Sequence, residues 1–368
     1  MKKLSFFGLG ALAIMSACNS KPSTEYSING TTDIADGEMI QLSFRVSDDS
    51  TFRDSCAVTN GTFTFAGTVE TPKMAYISRG PIKYIDESVR PLMIEPGNIT
   101  VALTGDNFST AEVTGSAHTQ QMDSLNGQIK VLYDQMKDLN KQYAAVQNDT
   151  AAVADLQKKY MALSDQVKEM NVNFVKTHPA SYYSPVVMRN IKSDMTLDEI
   201  KEIYNSWTPE IQAADAATAK YIAALENIQP GAKAPEITGK DQNGNEVSLS
   251  GLKGKVVLLD FWATWCGPCR ASLPHIKEVF EKYHDKGLEV LAVSRDRSEE
   301  PWKEYIANSG MGMENYVNIY DAPVNNAANY AIQYIPSKFI IDAEGNMVGR
   351  FDNPDELDAK LAEIFAGK

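Results

Sequence analysis

The run from Lys255 to Arg270, KVVLLDFWATWCGPCR, constrains the fold more than any other part of the chain. It opens with the unbroken apolar segment Val256 to Leu259, which is typical of a strand buried on both faces. A short turn then leads into Cys266-Gly-Pro-Cys269, and a helical pattern follows. This strand, turn and helix predict an α/β domain in which helices cover the sheet.

The spacing of the two cysteines predicts a redox pair. Because only two residues separate Cys266 from Cys269, one helical turn places their sulfurs within bonding distance. Cys266 falls at the helix N-terminus, where unpaired backbone N–H groups and the positive end of the helix dipole favour a thiolate. We therefore interpret the pair as a redox-active dithiol and not as two structural thiols.

Length and charge limit the classes of function. A chain of 368 residues predicts two or three domains. The net charge of −13 is spread along the chain without a basic stripe, so we expect no nucleic-acid partner. No Cys/His spacing resembles a zinc site, and we expect neither a metal nor any cofactor beyond the Cys266–Cys269 disulfide. Cys56 stands alone and is predicted to be a small buried hydrophobe.

The N-terminus has the pattern of an export signal, assigned to residues 1–17. Lys2 and Lys3 precede an apolar stretch, Leu4 to Met15, that is too short to span a membrane comfortably. Met15-Ser-Ala-Cys18 resembles the bacterial lipobox, which implies lipidation of Cys18 and a tether over residues 18–25. The alternative is ordinary signal cleavage with Cys18 incidental. A lipid anchor would place the mature protein on a membrane of the cell envelope, facing the periplasm.

Residues 26–115 are predicted to form a small antiparallel β-sandwich. Ile40, Leu42, Phe44 and Val46 alternate with polar residues, as in a strand with one buried face. Asn60-Gly61 is a hairpin signal, and further short strands and turns follow at regular spacing.

Residues 116–229 change to a helical period. Two apolar seams with three-four spacing flank the break at residues 148–150, which predicts a helical hairpin followed by shorter helices, the last of them over residues 209–228. The methionines of the seams are interpreted as core residues. The region is predicted to be a structural spacer, with a dimerisation arm as the alternative.

The last predicted domain covers residues 230–368. The proline- and glycine-rich segment 229–235 marks its boundary. Strands then alternate with helices, and a hairpin over residues 337–351 precedes a final helix, as in an α/β layer with right-handed crossovers.

The motif and its flanks resemble a known family. Asp260 to Arg270 is similar to the thioredoxin active-site signature, while Ala234-Pro235 and Leu273-Pro274 resemble segments of the membrane-anchored TlpA/ResA-like thiol-disulfide oxidoreductases. The resemblance spans about residues 231–368 and implies a thioredoxin-like fold. Residues 26–115 resemble a β-domain of unassigned function that often precedes such modules.

The resemblance implies roles for the residues of the motif. Cys266, at the exposed start of the helix, would attack the substrate and form a mixed disulfide, and Cys269, one turn further in, would resolve it. Gly267-Pro268 is the dipeptide of thioredoxin, which favours reduction. These two residues and Trp265 would contact the substrate.

Two further positions follow from the same resemblance. Asp260 falls at the place of the buried acid of thioredoxin, where a raised pKa would let it take the proton of Cys269. The alternative is a carboxylate that caps the strand end. Ile335-Pro336 falls at the place of the cis-proline, which would leave the Ile335 backbone free to pair with a substrate, and the alternative there is an ordinary trans turn.

The protein is predicted to be an envelope thiol-disulfide oxidoreductase that reduces disulfide-containing envelope proteins. A membrane electron donor would then reduce its Cys266–Cys269 disulfide again. Ser272 stands where the cytochrome-maturation subgroup resembling ResA has a glutamate, so that subgroup's substrate does not follow. One alternative is a thiol peroxidase of the peroxiredoxin type, although Thr264 is one residue too close to Cys266 for the Thr-x-x-Cys motif. Another is a binding lipoprotein with a secondary redox domain.

Overall fold

The computed structural model describes residues 23–47, 50–82, 84–310, 313–322 and 324–366. The predicted export signal and Cys18 lie outside the described residues. Two compact units divide between Val131 and Leu132, within one long helix. None of the helices in the described ranges is long and apolar enough to cross a membrane.

The first unit is built mainly from strands. They are β1 (Glu25–Thr32), β2 (Met39–Ser47), β3 (Ser50–Ala57), β4 (Thr62–Thr68), β5 (Lys73–Ser78), β6 (Val89–Ile94), β7 (Gly97–Leu103) and β8 (Glu112–Thr114). The described residues form one sheet in the order β4-β1-β7-β8 and a second in the order β3-β2-β5-β6. Apolar side chains from both sheets make a common core, so the predicted sandwich is present.

Details of the sandwich differ from the sequence prediction. Ile40, Leu42 and Phe44 are buried as predicted, but Val46 lies past the packed face and is 53% exposed. The strands are mostly antiparallel, yet β1 and β7 run parallel, with Ile28 beside Ile99. The chain passes through the second sheet between these two strands, and a long connection of that kind permits parallel pairing.

Helix α1 (Ala117–Ala145) begins against the sandwich. The buried guanidinium of Arg90 on β6 donates to both carboxylate oxygens of Asp123, over 3.0 and 2.5 Å. The Met93 N–H donates to the Thr119 hydroxyl at 2.9 Å. These bonds, together with burial of the apolar face of the helix, attach its first turns to β6.

The second unit continues with helices. They are α2 (Thr150–Thr177), α3 (Ser184–Ile191), α4 (Leu197–Ser206), α5 (Pro209–Ala214) and α6 (Ala216–Asn227). Asp149 caps α2, and Thr196 forms a capping box with Glu199 at the start of α4. The helical run predicted over residues 209–228 is broken at Asp215, whose side chain caps α6.

The predicted seam of the hairpin is only partly covered. Val167 and Phe174 of α2 are buried, as is Met136 of α1. Tyr143 and Tyr160, close to the turn between the two helices, are 41% and 37% exposed. Buried and exposed seam residues therefore alternate along the hairpin, and Leu156, nearer the turn than Tyr160, is buried.

The chain then forms the α/β layer that contains the two cysteines. Its elements are β9 (Thr238–Lys240), β10 (Glu246–Ser248), β11 (Val256–Trp262), α7 (Gly267–Tyr283), β12 (Leu288–Ser294), α8 (Glu299–Asn308), β13 (Val317–Tyr320), β14 (Ser337–Ile341), β15 (Met347–Arg350) and α9 (Pro354–Phe365). The main sheet has the order β13-β12-β11-β14-β15, with β11 parallel to β12 and antiparallel to β14. This is the thioredoxin-like architecture that the sequence predicted.

The central strand β11 is packed on both faces of the sheet. Every residue of β11 is buried. Leu258 and Trp262 pack into the core that includes α7 and α9, while Leu259 and Phe261 pack into the core on the opposite face. The strand that leads to the cysteines is thus fixed from both sides.

The linker before this layer is hydrogen-bonded to the sheet. The Gly231 N–H donates to the Met347 carbonyl and the Met347 N–H donates to the Ala232 carbonyl, both at 2.8 Å. The Ala234 N–H donates to the Gly345 carbonyl at 3.2 Å. The linker therefore runs along the outer edge of β15.

Candidate active site

Cys266 and Cys269 form a disulfide at the N-terminus of α7, with their Cα atoms 5.2 Å apart. Cys266 is the N-cap residue, in an extended backbone conformation. The Cys269 N–H points at the Cys266 sulfur over 3.1 Å. Once the bond is reduced, this donor and the helix N-terminus would both stabilise a thiolate on Cys266.

Local sequence explains this geometry. Strand β11 ends at Trp262, and a turn through Ala263, Thr264 and Trp265 carries the chain to the helix. The Cys266 N–H donates to the Ala263 carbonyl at 3.1 Å, which closes the turn. Pro268 stands in the first helical turn, where its missing N–H costs no hydrogen bond.

The sulfur atoms are more covered than the sequence predicted. Cys266 is 5% exposed and Cys269 1% exposed, although Cys266 was expected at an exposed helix start. The cover comes from the loop before β14, whose Ile335 carbonyl oxygen lies 3.8 Å from the Cys266 sulfur. Trp265, in contrast, is 64% exposed and stands at the rim of the site.

The Ile335–Pro336 peptide bond is cis, as the sequence predicted. The loop is held on both sides of this bond. The Ser337 hydroxyl donates to the Tyr334 carbonyl at 2.7 Å, and Arg350 donates to the Ser337 oxygen at 2.8 Å. The Arg350 guanidinium also lies over the Tyr334 ring, 4.7 Å from its centroid.

Asp260 is buried in the middle of the sheet and is 2% exposed, so it is not a carboxylate that merely caps the strand end. Burial raises the pKa of Asp260, and the nearby Lys338 opposes this increase. The ammonium nitrogen of Lys338 lies 3.8 Å from Oδ1 of Asp260, and that oxygen accepts no hydrogen bond from the described residues. A carboxyl group in this setting can take up and release a proton at a higher pH than an exposed aspartate.

Lys338 was not predicted to be a site residue, although its position in the sequence indicates that it needs a partner. A lysine within the buried strand Ser337–Ile341 requires an acidic partner, because an unpaired charge there is costly. The partner could not be identified without the register that places Lys338 opposite Asp260.

Asp296 was also missed. It follows β12 and is 4% exposed, and its carboxylate accepts hydrogen bonds from Thr264 in the turn before Cys266. An aspartate just after a buried parallel strand, at the carboxyl edge of the sheet, was the available signal.

Other polar groups lie apart from this chemistry. His275, on α7, pairs with Asp358 on α9, with 2.9 Å between Nε2 and Oδ1. Across the ranges that the structure describes, no group of three or more His, Cys, Asp and Glu side chains is arranged to hold a metal ion.

Comparison with known proteins identifies the family. The AhpC/TSA family model matches residues 230–350, and a model described as a domain of unknown function (DUF4369) matches residues 26–122. Thiol-disulfide oxidoreductase ResA of Bacillus anthracis is 32% identical over 147 residues, which are 39% of this chain and 83% of that protein. The chain belongs to the ResA-like thiol-disulfide oxidoreductases. ResA of Bacillus subtilis (strain 168) is 32% identical over 126 residues, 34% of this chain and 69% of that relative.

Solved structures similar to this oxidoreductase match a comparable share of the chain. The thioredoxin domain of thiol-disulfide oxidoreductase BVU-2223 from Bacteroides vulgatus is 33% identical, covers 37% of this chain and 98% of its own, and has a TM-score of 0.35. A structure from Chlorobium tepidum, described as a thiol:disulfide interchange protein DsbE, is 31% identical, covers 38% and 97% of the two chains, and also has a TM-score of 0.35.

Membership in this family makes the chain an oxidoreductase enzyme. In this ResA-like oxidoreductase the cysteine pair lies at the N-terminus of α7, just after the central strand β11. The family name fixes the type of chemistry, thiol-disulfide exchange.

Proposed function

We propose that the chain reduces disulfide bonds of exported proteins with the dithiol of Cys266 and Cys269. The observation that supports this most directly is the Cys269 N–H directed at the Cys266 sulfur, at a helix N-terminus and beside the Ile335–Pro336 loop. This arrangement favours a thiolate on the cysteine that a substrate reaches first.

The reaction proceeds in two exchanges. The Cys266 thiolate attacks one sulfur of the substrate disulfide, so that a Cys266–substrate bond forms, the substrate S–S bond breaks and the leaving thiolate takes a proton. Cys269 then loses its proton to Asp260 and attacks the Cys266 sulfur. The Cys266–Cys269 bond forms and the Cys266–substrate bond breaks. The second substrate sulfur leaves as a thiolate and takes a proton, and the two electrons have passed from the enzyme to the substrate.

The proposed substrate surface surrounds the disulfide. Trp265, Gly267 and Pro268 are exposed at the start of α7. The Ile335 backbone would pair with an extended segment of the client. Gly267-Pro268, shared with thioredoxin, supports the reducing direction over oxidation.

The enzyme would act in the cell envelope. The pattern at residues 1–18 supports lipidation of Cys18 and attachment to a membrane, with the helical region at residues 116–229 as a spacer. Each catalytic cycle ends with an oxidised pair, so a reductant is required, and a membrane electron donor is proposed for this step. Replacement of Cys18 by Ala should release the protein from the membrane fraction, and continued membrane attachment would contradict the anchor.

The catalytic proposal is tested by reduction of insulin with dithiothreitol. Wild-type protein should accelerate the reaction, Cys266→Ser should abolish the acceleration, and Cys269→Ser should accumulate a mixed disulfide because the second exchange is blocked. Cys56→Ser is the matched control, since Cys56 is a free cysteine on the other unit and should be dispensable. An equal rate for wild type and Cys266→Ser would exclude the proposed function.

A peroxidase is the second candidate, because the AhpC/TSA family model matches residues 230–350. The structure offers little support for it, since the Thr264 hydroxyl already donates to Asp296 at 2.6 Å. Rapid consumption of hydrogen peroxide that depends on Cys266, without insulin reduction, would favour this alternative.

A further inference from the structure

We propose that Asp296 is a positioning residue for the redox centre, acting through Thr264 on the turn that places Cys266. The proposal rests on the proposed dithiol function and adds a residue outside the cysteine motif. It concerns the geometry of ring closure between Cys266 and Cys269, and not contact with a substrate.

The contacts of Asp296 are directed almost entirely at the turn. Its Oδ1 accepts the Thr264 hydroxyl at 2.6 Å, and the Thr264 N–H lies 3.1 Å from Oδ2 and 3.3 Å from Oδ1. The Ser294 hydroxyl donates to Oδ2 at 2.7 Å. These donors satisfy the oxygens of the Asp296 carboxylate, although the residue is only 4% exposed.

The fold explains why residues 32 positions apart meet here. Strands β11 and β12 are parallel, with Trp262 beside Ser294, so both strands end at the same edge of the sheet. The Arg295 N–H donates to the Trp262 carbonyl at 2.8 Å, which brings the two chains together just before Asp296.

The turn itself has few other polar contacts. In Ala263-Thr264-Trp265, Thr264 is the residue with a side-chain donor close to the sheet, and Trp265 is largely exposed to solvent. The Cys266 N–H is bonded to Ala263 within the turn. The bonds to Asp296 therefore connect the turn to a different strand and limit its motion.

A fixed turn has a chemical consequence. Resolution requires Cys269 to attack the sulfur of Cys266, and its rate and equilibrium depend on the effective concentration of one thiol at the other. If the turn is released, Cys266 explores more positions and the ring closes less readily. A mixed disulfide between Cys266 and an external thiol then persists.

Glutathione provides a readout that does not require a protein client. In a glutathione buffer, the Cys266–glutathione mixed disulfide exchanges with Cys269 to give the intramolecular disulfide and free glutathione. After acid quenching, the two species can be quantified by mass spectrometry. A residue that only stabilised the fold would change the unfolding midpoint and leave this ratio unaltered.

Two substitutions and one rescue test the proposal. Thr264→Val keeps the shape of the side chain but removes its donor, and Asp296→Asn removes the charge. Each should lower the ratio of closed ring to mixed disulfide about tenfold. Thr264→Ser retains the hydroxyl and should stay within about twofold of wild type, and the double variant Asp296→Asn/Thr264→Val should be no worse than the more affected single variant.

Every combination of results supports or overturns the role proposed for Asp296. A ratio within about twofold of wild type for either single variant, or losses that multiply in the double variant, would overturn the proposal. If Asp296→Asn does not fold, the contrast between Thr264→Val and Thr264→Ser decides, and equal effects of these two would also overturn it. A wild-type protein that closes the ring but fails to reduce insulin would instead contradict the proposed function.

Discussion

The ammonium nitrogen of Lys338 lies 3.8 Å from Oδ1 of Asp260, and the two side chains are 4% and 3% exposed. The residues stand directly opposite each other on antiparallel β11 and β14. Burial raises the pKa of Asp260, and the positive charge of Lys338 partly offsets this increase. Both residues therefore influence protonation of a carboxyl group on β11, the strand that precedes the cysteines.

Asp260→Asn should slow resolution of the mixed disulfide at neutral pH by at least about tenfold, because the amide cannot take the proton of Cys269. The measurement is the release of substrate from a preformed mixed disulfide on Cys266. At alkaline pH Cys269 ionises without help, and the rates should converge. Asp165→Asn, at an exposed position on α2, is the control. Equal rates for wild type and Asp260→Asn at neutral pH would remove Asp260 from the mechanism.

Asp260 should also make stability depend on pH. Its folded-state pKa is raised above the ordinary value of 3.8, so the folded protein keeps this proton to higher pH than the unfolded chain does. The stabilising contribution is fully present below the unfolded-state pKa and is lost as the pH rises through the folded-state pKa. The free energy of unfolding of wild type, relative to Asp260→Asn, should therefore fall with rising pH.

Urea unfolding of both proteins between about pH 4 and pH 8 measures this difference. One proton allows a slope of at most about 1.4 kcal/mol per pH unit. A difference that stays constant over this range would show that Asp260 titrates in the folded protein as it does in the unfolded chain.

Lys338→Met should leave Asp260 without its counter-charge. The pKa of Asp260 should then rise further, because the lysine's lowering effect is lost. We expect a loss of about 3 kcal/mol in the free energy of unfolding at neutral pH, typical of a broken buried ion pair. Restoration of part of this loss in Asp260→Asn/Lys338→Met would identify the unpaired carboxylate as the cause, and a double variant as unstable as the single one would point to packing.

Trp265→Ala should affect substrate binding without affecting stability. The side chain is 64% exposed, so its removal should leave the unfolding midpoint within experimental error. KM for a protein disulfide should rise about fivefold with kcat unchanged, and Trp265→Phe should retain part of the affinity. A fall in kcat with unchanged KM would assign Trp265 to the exchange step instead.

The parts of the site that are local in sequence could be predicted from it. The cysteine pair and the strand before it belong to one short motif whose chemistry can be recognised without long-range information. Asp260 and the proline before β14 could be predicted only through the resemblance to thioredoxin, which supplies the missing information about how the chain folds.

The parts that depend on strand register could not be predicted. Lys338 becomes the partner of Asp260 only because β14 pairs antiparallel with β11, and Asp296 reaches Thr264 only because β11 and β12 end together. The cover over Cys266 similarly comes from a loop 69 residues away. The parallel pairing of β1 with β7 could not be predicted either. Alternation of apolar and polar residues shows which face of a strand is buried, but not which strand lies beside it.

The hydrogen bonds between the linker and β15 determine where a recombinant fragment of the redox domain should begin. Residues 231–234 lie along the edge of β15 and pair with residues 345–347. The backbone groups of residues 345–347 are therefore not available to pair with another polypeptide. A recombinant fragment that begins at Glu236 would uncover it, and an uncovered strand edge is a template for self-association. A soluble version of the redox domain should therefore start at or before Gln229.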